Sequence, residues 1–600
     1  MLSNARQIFA KDGETLRKGI DEIRNLPVLA IDTETTGLDP FEHRALLIQI
    51  GTDQFQLLVD CRRVDPAPLS EILAGPQVKV FHNAKFDIKF LEHGFSMHVK
   101  NVADAMLIEE ILENSFSRNA MHPSLFNLAL KYLAVELDKE MQKSFLQAPG
   151  EFSDRQIEYA RMDVAATYRV FLRQMDRLKK EALYDTARLE SQTVRVYARM
   201  ELLGVPIDAG KWKDAAAETE KEYAAARAAL NAYFKDNVPR DLFGDINADF
   251  DGDEKLKALL KKTGYLERDF KRETMAASEH EGAHLLLAYR EARSAFSTHN
   301  AEFLRFVHRR DGRLHADFRQ IAAPSGRSSC ADPNLQAIPK TARYRGCIRA
   351  PEGKKIITAD YAGCELRIIA EASGDPIFTK TFLSGGDLHS MVAESVFGVK
   401  VSRTENAGLR AKAKVINFGL AYGMGPGALA AQMKADMAGE DRAKMNVREA
   451  ERLLATYFKT FPTIYSYLES SAAEALERGY CVTLGGRKCR LPNAKGLSEF
   501  DRQAVLRFAK NMPIQGTNAD IAKLAMTKID EEFEKAAIGG GLINMVHDEL
   551  VAEVPADRAR EAALMVKEQM MKAGARFVRH VPMEVECHIG DFWGDKGEAV

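Results

Sequence analysis

Four residues spaced four apart constrain this chain more than any other feature. They are Arg410, Lys414, Phe418 and Tyr422, within Arg410-Ala-Lys-Ala-Lys414-Val-Ile-Asn-Phe418-Gly-Leu-Ala-Tyr422-Gly423. Read as a helix, the run keeps all four within about 120° of its circumference, on one face. Two cations, a flat aromatic and a Tyr beside glycines suit a nucleoside triphosphate. The cations meet phosphates, the aromatic lies near base and sugar, and Gly419 and Gly423 permit close approach of another chain or a base pair. Lys and Arg at this spacing also make an ordinary solvated helix face. The nucleotide reading therefore depends on carboxylates elsewhere that can hold metal ions.

At 600 residues the chain is too long for one core, and three or four folding units are expected. A 46% apolar and 28% charged composition is that of a soluble globular protein, and no apolar run is long enough to span a bilayer. The start has no charged head followed by an apolar segment, so no secretory leader is expected. Seven scattered cysteines without a Cys-x-x-Cys pair point to a reducing compartment and away from a disulfide framework or a cysteine zinc site. With a net charge of −2, nucleic-acid binding would have to come from locally placed Lys and Arg.

The first third alternates strands and helices. Strands are expected at 26–31, 45–50, 56–59 and 78–81, the middle two as a hairpin, with helices over 102–113 and 154–181. From about 186 to 310 the chain reads as nearly all helix, including 216–234 and 285–305, and beyond 311 strands and helices mix again.

Asp32 and Glu34 follow an apolar strand at i and i+2, so they present two carboxylates to one side. Asp87 follows the strand at 78–81, and Tyr159 and Asp163 align at i and i+4 on a helix. Like charges this close repel unless a cation offsets them. Four carboxylates and a Tyr can hold two divalent ions and orient a water for in-line attack on a phosphodiester.

A second set lies downstream. A strand at 356–360 ends in Asp360, and Cys364-Glu365-Leu-Arg367 then opens a helix. Strands at 542–546 and 550–554 meet at His547-Asp548-Glu549, a hairpin tip suited to an exposed carboxylate.

The 410–423 run closely resembles the fingers helix of family A DNA polymerases, and Asp360 and Asp548 flank it in the order of that family's palm. Asp32, Glu34, Asp87 and Asp163, with Tyr159, resemble the DEDD class of 3′–5′ exonucleases in its tyrosine-bearing subclass. The resemblance extends from residue 25 to 594. It includes Ser325-Gly-Arg327-Ser-Ser329, Asp332-Pro-Asn334-Leu-Gln336-Ala-Ile-Pro339, Gly485-Gly-Arg487-Lys-Cys-Arg490-Leu-Pro492, Arg507 to Gly516, and Arg290 to Thr298. Two departures stand out. The family's Asp-Tyr-Ser-Gln-Ile-Glu-Leu-Arg is here Asp360-Tyr-Ala-Gly-Cys-Glu365-Leu-Arg367, and its Thr-Gly-Arg is Ser325-Gly-Arg327.

The resemblance implies a multidomain α/β and α+β fold, with an RNase H-like exonuclease followed by a right-hand polymerase. The divisions expected are exonuclease 1–185, helical thumb 186–310, palm 311–375, fingers 376–495 and palm again 496–600. It implies a proofreading DNA polymerase with Asp360, Asp548 and Glu549 catalytic in the palm, and Asp32, Glu34, Asp87, Tyr159 and Asp163 in the exonuclease. Metal ligands would be Asp360, Asp548, Asp32, Glu34, Asp87 and Asp163, holding two Mg²⁺ per site, for which Mn²⁺ can substitute. Nucleotide contacts would come from Arg410, Lys414, Phe418, Tyr422, His389 and Glu365, the last against a ribose 2′-hydroxyl. DNA contacts would come from Arg327, Asn334, Gln336, Arg507, Asn511, Gln515 and His547. Partners would be primer–template DNA and dNTPs, with no membrane, in a cytoplasmic monomer lacking a 5′-nuclease. A bacterial, phage or organellar setting stays open. Intact carboxylates in both sets argue against a nuclease with a degenerate polymerase half and against a silent DNA-binding subunit. Glu365 and the exonuclease half argue against an RNA polymerase.

Overall fold

The computed structural model describes residues 5–117, 121–138, 141–147, 150–236, 253–267, 269–421, 424–436, 445–493 and 495–600. Tyr422 lies outside the described residues, as does the side chain of Phe418.

The first third is built on a six-stranded mixed sheet: β1 (Arg6–Ala10), β2 (Val28–Thr35), β3 (Ala45–Gly51), β4 (Phe55–Asp60), β5 (Val78–Phe81) and β6 (Val102–Asp104), in the order β1-β4-β3-β2-β5-β6. Every residue of β3 and β4 is buried, which explains their unbroken apolar runs. They pair antiparallel, as expected for a hairpin. β1 and helix α1 (Gly13–Ile23) were not foreseen.

Around the sheet lie α2 (Ala84–Phe95), α3 (Ala105–Leu112), α4 (Asp154–Lys180) and α5 (Tyr184–Leu203). The helix expected over 102–113 is corrected at its start. Residues 102–104 are strand β6, parallel to β5, and the helix begins only at Ala105. Asp104 explains the break: its Oδ1 accepts from the backbone N–H groups of Met106, at 2.9 Å, and Leu107, at 3.3 Å, and so caps α3. α4 packs on β2 and β3, which brings its inner face over Asp32 and Glu34.

The helical stretch that follows contains α6 (Ala209–Phe234) and α7 (Glu281–Thr298), joined to the rest through the stacked pair Trp212 and Phe303, 4.2 Å apart. The helix expected to run to Arg305 stops at Thr298, and a 3₁₀ turn covers Ala301–Phe306.

A second sheet organises the remainder: β7 (Lys354–Tyr361), β8 (Gly541–Val546), β9 (Glu549–Pro555), β10 (Val585–Gly590) and β11 (Glu598–Ala599), all antiparallel, in the order β8-β9-β7-β10-β11. Helices α8 (Cys364–Ser373), α9 (Leu388–Phe397) and α10 (Ala407–Ala421) lie between β7 and β8 in the chain. So does the longest helix, α11 (Glu499–Lys535), 37 residues from a Ser498 cap, with Pro513 inside it. α12 (Ala559–Ala575) packs on β7 and β10. No described helix is long and apolar enough to cross a membrane.

Candidate active sites

Strand β2 runs through Asp32 and Glu34 rather than ending before them, so strand alternation turns both carboxylates toward α4. Ligand oxygens of Asp32, Glu34 and Asp163 lie within 4.8 Å of one another. Asp163 is reached by the Tyr159 hydroxyl one helical turn earlier. Asp87 accepts a hydrogen bond from Thr33 Oγ1 at 2.7 Å, which ties it to the strand residue between Asp32 and Glu34. Gln49 Nε2 donates to Glu34 at 3.2 Å.

Burial pushes the Asp32 carboxyl up to about 7. Burial, then the neighbouring carboxylates, carry Glu34, Asp87 and Asp163 well above the usual range. An all-oxygen donor set whose charges repel fits a hard divalent cation. One positioning residue has no motif to announce it. Asn83 enters α2 with φ 67°, and Asp104 accepts from the N–H groups of Asn83, at 3.1 Å, and Ala84, at 2.8 Å. This fixes the first turn of the helix that carries Asp87.

In the second sheet Asp360 lies near the end of β7, opposite Glu549 on β9 and Glu586 on β10. His547, at φ 61°, makes the left-handed turn that carries Asp548 to the tip of the β8–β9 hairpin. Burial first, then Asp548 and Glu549, push Asp360 up to about 7, and burial raises Asp548 as well. Asp360 Oδ1 is buried with no hydrogen-bond partner among the described residues. A buried carboxylate oxygen in that state, beside a second carboxylate, also fits a metal ion. Glu549 differs, because its oxygens accept from Arg345 at 2.7 and 2.9 Å and from Trp593 Nε1 at 2.7 Å.

The residues expected at DNA and sugar partly converge. Arg327 Nη2 donates to Glu365 at 2.7 Å, and Arg327 Nη1 to Gln515 at 3.4 Å. Gln336 Nε2 donates to the Met545 carbonyl at 3.1 Å, beside His547, whose imidazole is held below its usual pKa by burial. Arg507, Asn511 and Gln515 recur every four residues on α11 and share one of its faces. Asn334 is exposed, just before the 3₁₀ turn Leu335–Ala337. Gly363 sits at φ 67° immediately before α8, a conformation that costs glycine little and a Gln more, which accounts locally for that departure.

On α10, Arg410 and Lys414 lie one turn apart. Arg410 is not open to solvent alone: its Nε and Nη2 donate to Asp387, at 2.5 and 3.2 Å, at the start of α9. His389 Nδ1 is 3.0 Å from Asn417 Nδ2, and burial holds this imidazole down at about 4, so it is neutral near pH 7.

A family model described as DNA polymerase family A matches residues 211–595, and one described as 3′–5′ exonuclease matches 7–179. The chain belongs to DNA polymerase family A. It is 31% identical over 612 residues to DNA polymerase I of Aquifex aeolicus, covering 97% of this chain and 98% of that one. To the thermostable DNA polymerase I of Thermus filiformis it is 34% identical over 492 residues, 79% of this chain and 55% of the relative. The chain thus spans about half the length of the Thermus relatives it matches. Among solved structures, it resembles the POL domain of Pol1 from M. smegmatis, in complex with DNA primer–template and dNTP. The TM-score is 0.81 at 27% identity, covering 98% of this chain and 99% of that one. The carboxylate cluster on the first sheet falls within the exonuclease match, and that on the second sheet within the polymerase match.

Proposed function

We propose that this family A chain extends a DNA primer along a template with dNTPs and removes mispaired 3′ ends by hydrolysis at a second site. The observation that carries the reading is Asp360: a buried carboxylate beside Asp548, with an oxygen that no described residue satisfies, in the palm-like sheet of a family A chain. Asp360 and Asp548 would hold the metal pair in the palm, and Asp32, Glu34, Asp87 and Asp163 the pair in the exonuclease half, with Mg²⁺ or Mn²⁺ as the ions. Bound there, such ions activate the attacking oxygen and spread the charge of the transition state.

The chain's own groups do the rest. Arg410 and Lys414 bind the triphosphate, and Arg410 leaves Asp387 to do so. Neutral His389 hydrogen-bonds a phosphate without adding charge. Glu365, held by Arg327, forms the wall that a ribose 2′-hydroxyl would strike. Arg327, Gln515, Gln336, Asn334, Arg507, Asn511 and His547 line the primer–template. In the exonuclease half, Tyr159 and Glu34 orient the attacking water. The enzyme works as a cytoplasmic monomer in this reading.

The test is a primer-extension gel with dNTPs, with NTPs and with no nucleotide. Extension is expected only with dNTPs, and shortening with none. Asp548→Ala should abolish extension, and retention within about tenfold overturns the assignment, because a lost metal ligand costs several kcal/mol. Asp32→Ala with Glu34→Ala should abolish shortening and spare extension. Loss of both activities in a folded double variant would show that the sites are not separate.

A further inference from the structure

We propose that His308, Asp311 and His315 form a binding site for one divalent transition ion of the zinc class, at the seam between the exonuclease half and the polymerase half. The three residues lie on one tight loop. The Val307–Leu314 bridge closes it, His308 N–H donates to the Arg313 carbonyl at 2.8 Å, and Gly312 N–H donates to the His308 carbonyl at 2.9 Å. Gly312 turns the chain at φ 71°. One ligand atom from each of the three residues falls within 4.8 Å of the other two.

The hydrogen-bond pattern points to a cation. His315 Nδ1 is 2.6 Å from the Glu201 carbonyl, which can only accept, so Nδ1 carries the hydrogen. In the neutral ring Nε2 then presents a lone pair, and it faces Asp311 Oδ2 at 2.9 Å. Two acceptors at that distance need a positive centre between them. A proton on His315 would serve that pair alone. His308 decides between proton and metal: its Nδ1 is buried without a hydrogen-bond partner among the described residues, 3.6 Å from Asp311 Oδ1. A metal engages both imidazoles and the carboxylate together.

The separations suit such an ion. Tetrahedral zinc with nitrogen and oxygen donors sets ligand atoms about 3.3 Å apart. Imidazole nitrogen selects the zinc class over Mg²⁺, which prefers oxygen alone. The outer partners follow the pattern of metal-bound histidines, whose second nitrogen faces a carbonyl or carboxylate. For His315 this partner is the Glu201 carbonyl. For His308 it is Glu42, whose Oε1 lies 3.7 Å from Nε2 and is shared with Arg310 at 3.4 Å. Asp311 is partly exposed, so an ion can reach the loop from solvent.

Glu42 and its neighbour Phe41 belong to the exonuclease half. The Phe41 ring lies 4.9 Å from the His308 ring and 4.4 Å from that of His315. A bound ion would lock the loop against that segment and act as a strut between the halves. It takes no part in either reaction.

The test is equilibrium dialysis of the full chain against Zn²⁺ in excess Mg²⁺, followed by metal analysis of parent, His308→Ala, His315→Ala and Asp311→Asn. The parent should retain one more zinc per chain than each variant, and zinc should raise the parent's thermal midpoint further than theirs. Equal zinc content in parent and variants overturns the proposal. Asp311→Asn preserves side-chain volume, so it decides the matter if either histidine variant fails to fold.

Discussion

Asp360 faces Glu549 directly across the β7–β9 register, yet the two carboxylates keep opposite company. Glu549 is saturated by Arg345 and Trp593, while one oxygen of Asp360 has no partner among the described residues. In the proposed reading Asp360 would bind the metal, and Glu549, its oxygens already taken, would act on the site through its charge. Asp360→Asn should therefore lower the extension rate about a thousandfold, since a lost metal ligand costs several kcal/mol. Glu549→Gln should leave the rate at saturating Mg²⁺ near the parent's and raise the Mg²⁺ needed for half-maximal rate by roughly tenfold, because the site loses a negative charge beside Asp360 worth about 1 kcal/mol at a partly screened distance. Magnesium titrations of the extension rate separate the two. A Glu549→Gln rate that high Mg²⁺ cannot restore would make Glu549 catalytic in its own right.

Asp387 holds Arg410, and in the proposed reading it would compete with the triphosphate for it. Its carboxyl is held down at about 2, a value to which burial works in opposition and the Arg410 and Ser390 hydrogen bonds contribute. Asp387→Asn should weaken that hold and tighten dNTP binding. Arg410→Ala should weaken it by about tenfold or more, since hydrogen bonds to charged groups contribute about 1.5–3 kcal/mol. Single-turnover titrations with dNTP measure both, and unchanged affinity in Arg410→Ala would remove Arg410 from the phosphate site.

A fully buried ionic cluster lies beside Gly326 and Arg327. Glu190 on α5 accepts from Arg487 and from Lys523 Nζ, the latter at 2.6 Å, and Arg487 Nε donates to Asp520 at 2.8 Å. Gly326, beside Arg327, leaves the room that Arg487 occupies: a Cβ there would meet Arg487 Cζ at 2.6 Å. Glu190→Gln leaves buried Lys523 without a carboxylate partner, while Arg487 keeps Asp520, and should cost roughly 3–5 kcal/mol of stability. Denaturant unfolding reads this directly, and a change within about 0.5 kcal/mol, the range of ordinary surface substitutions, would contradict it.

The exonuclease carboxylates repel one another without a cation. In chelator, Asp32→Asn should raise the thermal midpoint of that half by a few degrees. In saturating Mg²⁺ the gain should vanish or reverse, because the variant has lost a ligand. A midpoint in the parent that ignores Mg²⁺ would argue against metal at these residues.

Much of this was legible in sequence because it is local. The β8–β9 hairpin, the strand bearing Asp360, and helices α4 and α10 announce themselves by apolar runs, periodicity and spacing. What escaped depends on contacts remote in the chain. Glu190, Asp520 and Lys523 look like surface charge in their own segments, Arg487 stands out only as part of a family-like run, and only tertiary packing joins the four. The same is true of Arg345 and Trp593 around Glu549. Asp104 fixes α2 from 17 residues beyond Asp87, with no motif to mark it. His308, Asp311 and His315 draw no reading from the sequence, and Phe41 and Glu42 meet them only in the fold.

The α11 helix spans roughly 55 Å at about 1.5 Å per residue. Its first half carries Arg507, Asn511 and Gln515. Farther along, Asp530 accepts from Arg199 at 2.8 Å, and Arg199 grips Glu92 at 3.1 Å, on the helix that carries Asp87. One helix with several ion pairs along its far half therefore links the two carboxylate-bearing halves, where a hinged loop would let them drift. The helix that carries Asp87 is thereby tied to the helix that carries Gln515 by side chains packed along α5. If the proposed reading holds and this frame keeps still, a primer end changing sites would draw the length of its travel from the strand, by melting base pairs, and not from a hinge in the protein.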